Sequence, residues 1–225
     1  MRNVFLFFVI TFLTGNPLIA LLVIVAIYLV LDYQFVGISR RFLERFHRST
    51  AIRSLTRELE MNPHNASARS GLGRLLVEAR RYEEAVSHLE RAMERMSESE
   101  ETACDLGLAY LWTGRVREGE ALIRSALEHN PKFRYGEPYL RWGEFVLKEG
   151  RVKEAAELLE KFLSIHSSSV EGHYFLGEAY RRDGDRQKAA SILKDGLNHF
   201  RRSPRYKRRS ERLWAWRSRF RLLVF

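Results

Sequence analysis

Apolar residues recur every three or four positions through most of this chain. From Tyr82 to Met93 the residues Tyr82, Ala85, Val86, Leu89, Ala92 and Met93 fall on one stripe, with charged side chains between them. That period predicts an amphipathic helix burying one face. The stretches EAAELLEKFL (154–163) and KAASILKDGL (188–197) repeat it. The reading is therefore all-α.

The pattern fails in one place. From Val4 to Leu31 the chain carries no charge at all. A helix crossing a bilayer needs about 20 apolar residues, whereas the apolar core of a secretory signal has roughly 7–15. The run is too long for a signal, and no Ala-x-Ala-like exit follows it. An N-terminal transmembrane helix in a membrane anchor spanning 1–35 is the expectation. Thr14-Gly15-Asn16-Pro17 interrupts the run, since Asn is costly in lipid and Pro17 lacks an amide hydrogen. Two paths fit: a single kinked crossing, or a span from 17 to 36 with residues 4–13 at the interface or re-entrant. Length argues against two full crossings, because ten or eleven helical residues do not span a hydrocarbon core. Arg40, Arg41, Arg45 and Arg48 follow the run, against Arg2 and the amino terminus before it. The positive-inside rule then puts everything after residue 32 in the cytoplasm.

A longer period overlies the helical one. Gly73, Gly107, Gly143 and Gly177 are 34, 36 and 34 residues apart. Twelve positions after each stand Ala85, Gly119, Ala155 and Ala189, and four further on Leu89, Ile123, Leu159 and Leu193. Gly114, Gly150 and Gly184 mark a turn between two helices, with Arg80 at that place in the first copy. Small residues suit close helix crossings, large ones fill the gaps, and the turn residue needs a left-handed backbone. Such coincidences at one period signal a repeat array.

These residues, and above all LGLAYLWTG (106–114) and FLGEAYRRDGDRQKAASIL (175–193), resemble the tetratricopeptide repeat, a helix–turn–helix module of this period. The resemblance implies a right-handed superhelix of about four hairpins with a concave protein-binding face. It covers four repeats, 66–99, 100–135, 136–169 and 170–203. Departures are Gly119 for the usual alanine, Ser97 and Ser167 where an inter-repeat proline is typical, and two extra residues in KFRYGEPY (132–139). Residues 36–65 read as juxtamembrane helices and a degenerate N-terminal cap, with a first helix near 35–46 and a second from Thr50 onward. Residues 204–225 read as a basic amphipathic helix.

In this family the first helix of each pair lines the concave face. Phasing from the glycines places Arg74, Glu101, Leu108, Leu111, Glu137, Leu140, Glu144, Tyr174, Glu178 and Arg181 there as a protein-binding groove. The places where family members capture a terminal carboxylate with Lys and Asn hold Ser70, Arg74, Cys104 and Leu108, which argues against that specificity.

Charge changes the picture at the ends. The net charge of +10 divides into +5 for residues 1–57, −4 for 58–199 and +9 for 200–225, where Glu211 is the only acid. In the tail, Arg208, Arg209, Arg212, Arg217, Arg219 and Arg221 surround Trp214 and Trp216. Two roles suit it. Leu213, Trp216 and Phe220 cap the last repeat, or the helix lies on anionic lipid. Arginine beside aromatics also stacks on single-stranded RNA, but the acidic middle argues against a continuous nucleic-acid track.

No catalytic or cofactor motif is present. The seven histidines lack metal-ligand spacing, and there is no His-Glu-x-x-His, Cys-x-x-Cys, phosphate loop or serine elbow. The single cysteine, Cys104, excludes an internal disulfide framework and reads as a small packing residue. The expectation is a non-enzymatic, membrane-anchored adaptor with no cofactor, a protein partner and contact with a lipid bilayer. A structural subunit of a membrane complex and a tail-mediated nucleic-acid binder are the alternatives. An anchor followed by such repeats resembles the layout of a bacterial family acting in lipopolysaccharide assembly, whose cysteine-bearing metal module this chain lacks.

Overall fold

A computed structural model describes residues 15–31 and 38–224, and every regular element among them is helical. Two units are separated, one up to His47 and one from Arg48 onward. The first contains helix α1, Pro17–Leu31, and the start of α2, Ile38–Met61. Asn16 Oδ1 accepts from the Leu18 amide at 2.8 Å and so caps α1. The side chains described on α1 are exposed, among them Leu18, Leu21, Leu22 and Val25.

The N-terminal transmembrane helix is not supported. Among the described residues no helix is long and apolar enough to cross a membrane. Helix α1 has 15 residues, about 22 Å at 1.5 Å per residue, short of a core of about 30 Å. The alternatives for residues 4–13 lie outside the described residues. Helix α2 corrects a second expectation, because residues 38–61 form one continuous helix with no turn near Thr50. Nothing in RFHRSTAIRS breaks a helix, and Arg53 and Thr56 hydrogen-bond backbone carbonyls four residues back.

From Arg48 onward the chain alternates in hairpins: α3 Ala66–Glu78, α4 Tyr82–Met93, α5 Glu100–Trp112, α6 Val116–His129, α7 Glu137–Lys148, α8 Val152–Ile165, α9 Val170–Arg182 and α10 Arg186–Arg202. A final helix, α11, runs from Arg205 to Leu223. Side-chain oxygens of Asn65, Ser99 and Ser169 start α3, α5 and α9 by accepting from the amides of Ala68, Thr102 and Gly172. Helix α7 starts differently, after a short 3-10 turn at Phe133–Gly136. The hairpin turns are left-handed at Gly114, Gly150 and Gly184, and Arg80 adopts the same conformation at φ 60°. The sequence thus places a residue of the right backbone geometry in all four turns, only one of them without glycine.

Two apolar clusters hold the array. Leu72, Leu76, Leu89, Leu106 and Tyr110 join the first two hairpins, with Leu59, Leu55 and Ile52 of α2 packed against them. Leu108, Leu111, Ile123, Leu140, Phe145, Val146, Leu159, Phe162 and Leu176 join the second, third and fourth. Helix α11 covers the end, with Ala215 buried against Val170 and Leu197. It occupies the place a fifth repeat's first helix would take.

Candidate protein-binding surface

The first helices of successive hairpins lie side by side and are cross-linked by polar groups. Ser70 and Thr102 hydroxyls meet at 2.9 Å, buried between α3 and α5. Arg74 pairs with Glu101 at 3.1 Å, and Arg141 on α7 with Glu171 on α9 at 2.7 Å. Arg182 Nη1 donates to the Leu147 carbonyl at 2.9 Å. A longer link shows the curvature. Arg80, in the first hairpin's turn, reaches Glu144 on α7 at 3.2 Å and so skips a whole repeat. Below it Tyr82 stacks on Trp112 (5.4 Å, 7°), which meets Phe145 edge-on. Lys148 sits 4.6 Å over Trp112.

Three charge clusters result. In the first, Arg134 donates to both oxygens of Asp105 (2.6 and 2.9 Å) and to Glu101. Arg134 comes from the 3-10 turn, where Arg134 and Tyr135 hold positive φ, so the two-residue insertion delivers this guanidinium. Asp105 is fully buried; burial pushes its carboxyl up, and Arg134 only partly opposes that. Glu101 lies below the usual carboxylate range, held there chiefly by the hydrogen bond from Arg134. In the second cluster Arg141 contacts Glu137, Glu144 and Glu171. In the third Glu178, 4% exposed, is surrounded by Arg181, Arg182 and Arg221.

Several residues expected to face the groove do not. Leu108, Leu111 and Leu140 are 6%, 1% and 4% exposed and lie in the core. Helix α5 is buried continuously from Cys104 to Leu111, because it is packed on both sides by neighbouring hairpins. Tyr174 packs against Phe175 and Trp214 of α11, and Glu178 sits beneath Arg221 of that helix. The open surface is therefore a ladder of Arg74, Glu101, Glu137, Glu144 and Arg181, extended by Arg134, Arg141 and Glu171. Arg134 and Arg141 were missed by phasing on glycines alone. The clue was the insertion itself, an arginine facing acids at 101 and 105, one helical turn apart. Cys104 is buried, and burial pushes its thiol up to about 12, so no thiolate forms near neutrality.

The outer face offers less. A cleft of about 230 Å³ between α6 and α8 is lined by Arg124, Glu128, Tyr139, Trp142, Glu157 and Lys161. That is below the ~300 Å³ at which small-molecule pockets usually begin; a second, more open cleft of about 360 Å³ is lined by Ser167, His173, Asp195, Asn198, His199 and Arg202. Among the described residues no group of three or more His, Cys, Asp or Glu is placed to hold a metal.

Helix α11 caps the last hairpin by a face other than the expected one. Trp214 packs on Tyr174 and Phe175 at 5.2 and 5.1 Å, and Ala215 and Ser218 are buried. Glu211 accepts from the Val170 amide at 3.1 Å, and Lys207 donates to the Ser168 hydroxyl at 2.6 Å. Trp216 and Phe220, expected to cap, are exposed. Trp214 and Arg221, expected at an anionic surface, face inward.

The Glu178 cluster makes this cap sensitive to acid. Burial works against ionisation of Glu178, but Arg181, Arg221 and Arg182 together hold its carboxyl below the ordinary 4.5. A lowered carboxylate contributes stability above its unfolded value and loses it as pH falls through the folded value. The cap should loosen below pH 4.5. Glu178→Gln should cost about 1–2 kcal/mol at neutral pH and flatten the acid limb, as followed by hydrogen exchange in α11 across a pH series.

Comparison with known proteins agrees with this geometry. A tetratricopeptide repeat model matches residues 76–137 and 146–209, and a second matches 38–99. The chain belongs to the tetratricopeptide repeat family. The gap between the first model's two matches adjoins the inserted turn at Phe133–Gly136. Human tetratricopeptide repeat protein 21A is 28% identical over 144 residues, which are 62% of this chain and 11% of that protein. Among solved structures, MamA from Desulfovibrio magneticus RS-1 (residue 41 to the end) is similar with a TM-score of 0.59 and 16% identity, over 76% of this chain and 95% of that one. YrrB, described as a TPR protein with an unusual peptide-binding site, gives 0.53 and 20%, over 73% and 84%. At these identities the likeness is one of fold.

Proposed function

We propose that this chain is a scaffold whose inner helix layer takes a segment of another protein, held at a membrane by its N-terminal apolar segment. The observation that carries the reading is the row of charged side chains across α3, α5, α7 and α9, linked by Arg74–Glu101, by Arg134 of the 3-10 turn to Glu101, and by Arg141–Glu171. Its side chains lie partly open to solvent and alternate in sign, which suits an extended or helical polar segment. The buried leucines remove the apolar component from that specificity. YrrB is described as binding peptide, and the shared repeat fold makes the same use of this surface reasonable. The uncharged Val4–Leu31 run and the exposed apolar side chains described on α1 support the membrane tether, and Arg40, Arg41, Arg45 and Arg48 support a cytoplasmic place for the repeats.

The test is co-purification in mild detergent from the native host. Arg74→Glu with Glu137→Lys reverses one exposed and one half-buried inner charge without entering the core. Partners retained by the intact chain and by Arg91→Glu on α4 should be lost from this variant. Unchanged partners would sink the groove reading. Substituting Leu108 or Leu140 would not test it, since truncating a buried leucine costs about 2–5 kcal/mol and acts through folding.

A further inference from the structure

Helix α11 has two usable faces, and capping occupies one. Trp214, Ala215, Ser218 and Glu211 turn toward α9 and α10. On the opposite side Trp216, Phe220 and Leu223 stand at i, i+4 and i+7, exposed by 62%, 54% and 84%. The two rings stack on each other at 5.9 Å and 16°. Val224 continues this apolar stripe at the C-terminal end, and Tyr206 is exposed near the start of the helix, separated from the stripe by Arg209 and Arg212. Packing within the chain does not account for it, and an apolar stripe of this length left open marks an interaction surface.

Its surroundings are cationic. The segment 200–225 holds ten Lys and Arg and one acid, Glu211. That acid is half-buried on the capping face, bonded to the Val170 amide. Arg205, Arg217 and Arg219 are exposed around the stripe, and Arg201 and Arg202 lie exposed at the end of α10. The outward face of α11 thus presents aromatic and aliphatic side chains between guanidinium groups, with no carboxylate among its described residues.

We propose that this outer face docks on the surface of an anionic phospholipid bilayer. Trp216, Phe220 and Leu223 enter the boundary between headgroups and acyl chains, while the arginines extend to the lipid phosphates. Single-stranded nucleic acid fits less well. A base-stacking platform uses free ring faces, whereas Trp216 and Phe220 turn one face each toward the other and the stripe continues in aliphatic residues. The docking does not depend on occupancy of the inner ladder. If the N-terminal segment tethers the chain, docking becomes intramolecular and needs little intrinsic affinity.

The protein's own tryptophans give the test. The chain has four, Trp112, Trp142, Trp214 and Trp216, all after residue 100. Quenching by lipids brominated along their acyl chains therefore reports on this part of the protein and not on α1. The full chain is reconstituted in brominated phosphatidylcholine vesicles with or without phosphatidylglycerol. Expected is strong quenching only with phosphatidylglycerol, reversed by salt and abolished in Trp216→Phe, which keeps an apolar ring in place. Arg205→Gln, Arg217→Gln and Arg219→Gln together should weaken docking by roughly fivefold per arginine at low ionic strength, with an unchanged circular dichroism spectrum. Equal quenching in both lipids, or none in either, overturns the proposal. So does shielding of Trp216 by single-stranded RNA, or by self-association, in place of lipid. Vesicle flotation without quenching would keep the N-terminal tether and reject the docking, so the two failures are told apart.

Discussion

Replacing Arg134 with alanine should lower the stability of the repeat array by about 3–5 kcal/mol, the range for leaving a buried charge without its partner. Asp105 has 2% of its side chain exposed, and Arg134 bonds both its oxygens. Urea unfolding followed by tryptophan emission measures the loss. Its pH dependence identifies the cause. Burial already raises the Asp105 carboxyl above 3.8, and removing Arg134 raises it further. The folded form then holds a proton the unfolded form has released, so the deficit shrinks as pH is lowered toward the unfolded value. Asp105→Asn in the Arg134→Ala background should recover part of the stability. A deficit equal at all pH values would assign the loss to the 3-10 turn and not to the buried charge.

The second large effect concerns the helix crossing at Gly107 and Gly119. In three hairpins the glycine on the first helix lies nearest a leucine side chain on the second (Leu89, Leu159 and Leu193), but here Gly107 and Gly119 meet backbone to backbone. A Cβ on Gly119 would lie 2.6 Å from the Gly107 carbonyl oxygen and 3.0 Å from the Leu111 amide nitrogen. A Cβ on Gly107 would lie 2.8 Å from the Gly119 oxygen. Alanine normally gains about 1 kcal/mol over glycine inside a helix. At this site the obstacle is backbone, which cannot rotate aside as a side chain does, so the hairpin must open. Gly119→Ala should therefore destabilise by about 1–3 kcal/mol despite its better propensity. Thermal unfolding decides the sign, and a stabilised variant would contradict the close crossing.

The same crossing shows what the sequence made legible. Glycines at 73, 107, 143 and 177 and their small partners twelve residues on locate every hairpin, because a close backbone approach admits few side chains. The turns were legible for a similar reason, Arg80 included, since the period marks a turn even where glycine is missing. Facing direction was not legible. In α5 nearly the whole circumference is apolar and covered, so Leu108 and Leu111 carry no sign of which side is core. In α11 the stripes through 213, 216 and 220 and through 214, 215 and 218 are both partly apolar, with arginines throughout, and the period alone does not choose between them. The deciding contacts, Trp214 on Tyr174 and Glu211 on the Val170 amide, come from residues about forty positions away. Arg134 was hidden because its role depends on an insertion that breaks the period used to find everything else.

The proposed partner surface is one inner layer, α3, α5, α7 and α9. Photo-crosslinking in the native host tests it most directly, with a photoreactive residue at Glu137 on the inner ladder or at Lys194 on the outer helix α10. Illumination should trap a discrete protein adduct from position 137 and none of the same mass from 194. Adducts from 194 alone would place the partner on the outer helices and contradict the account.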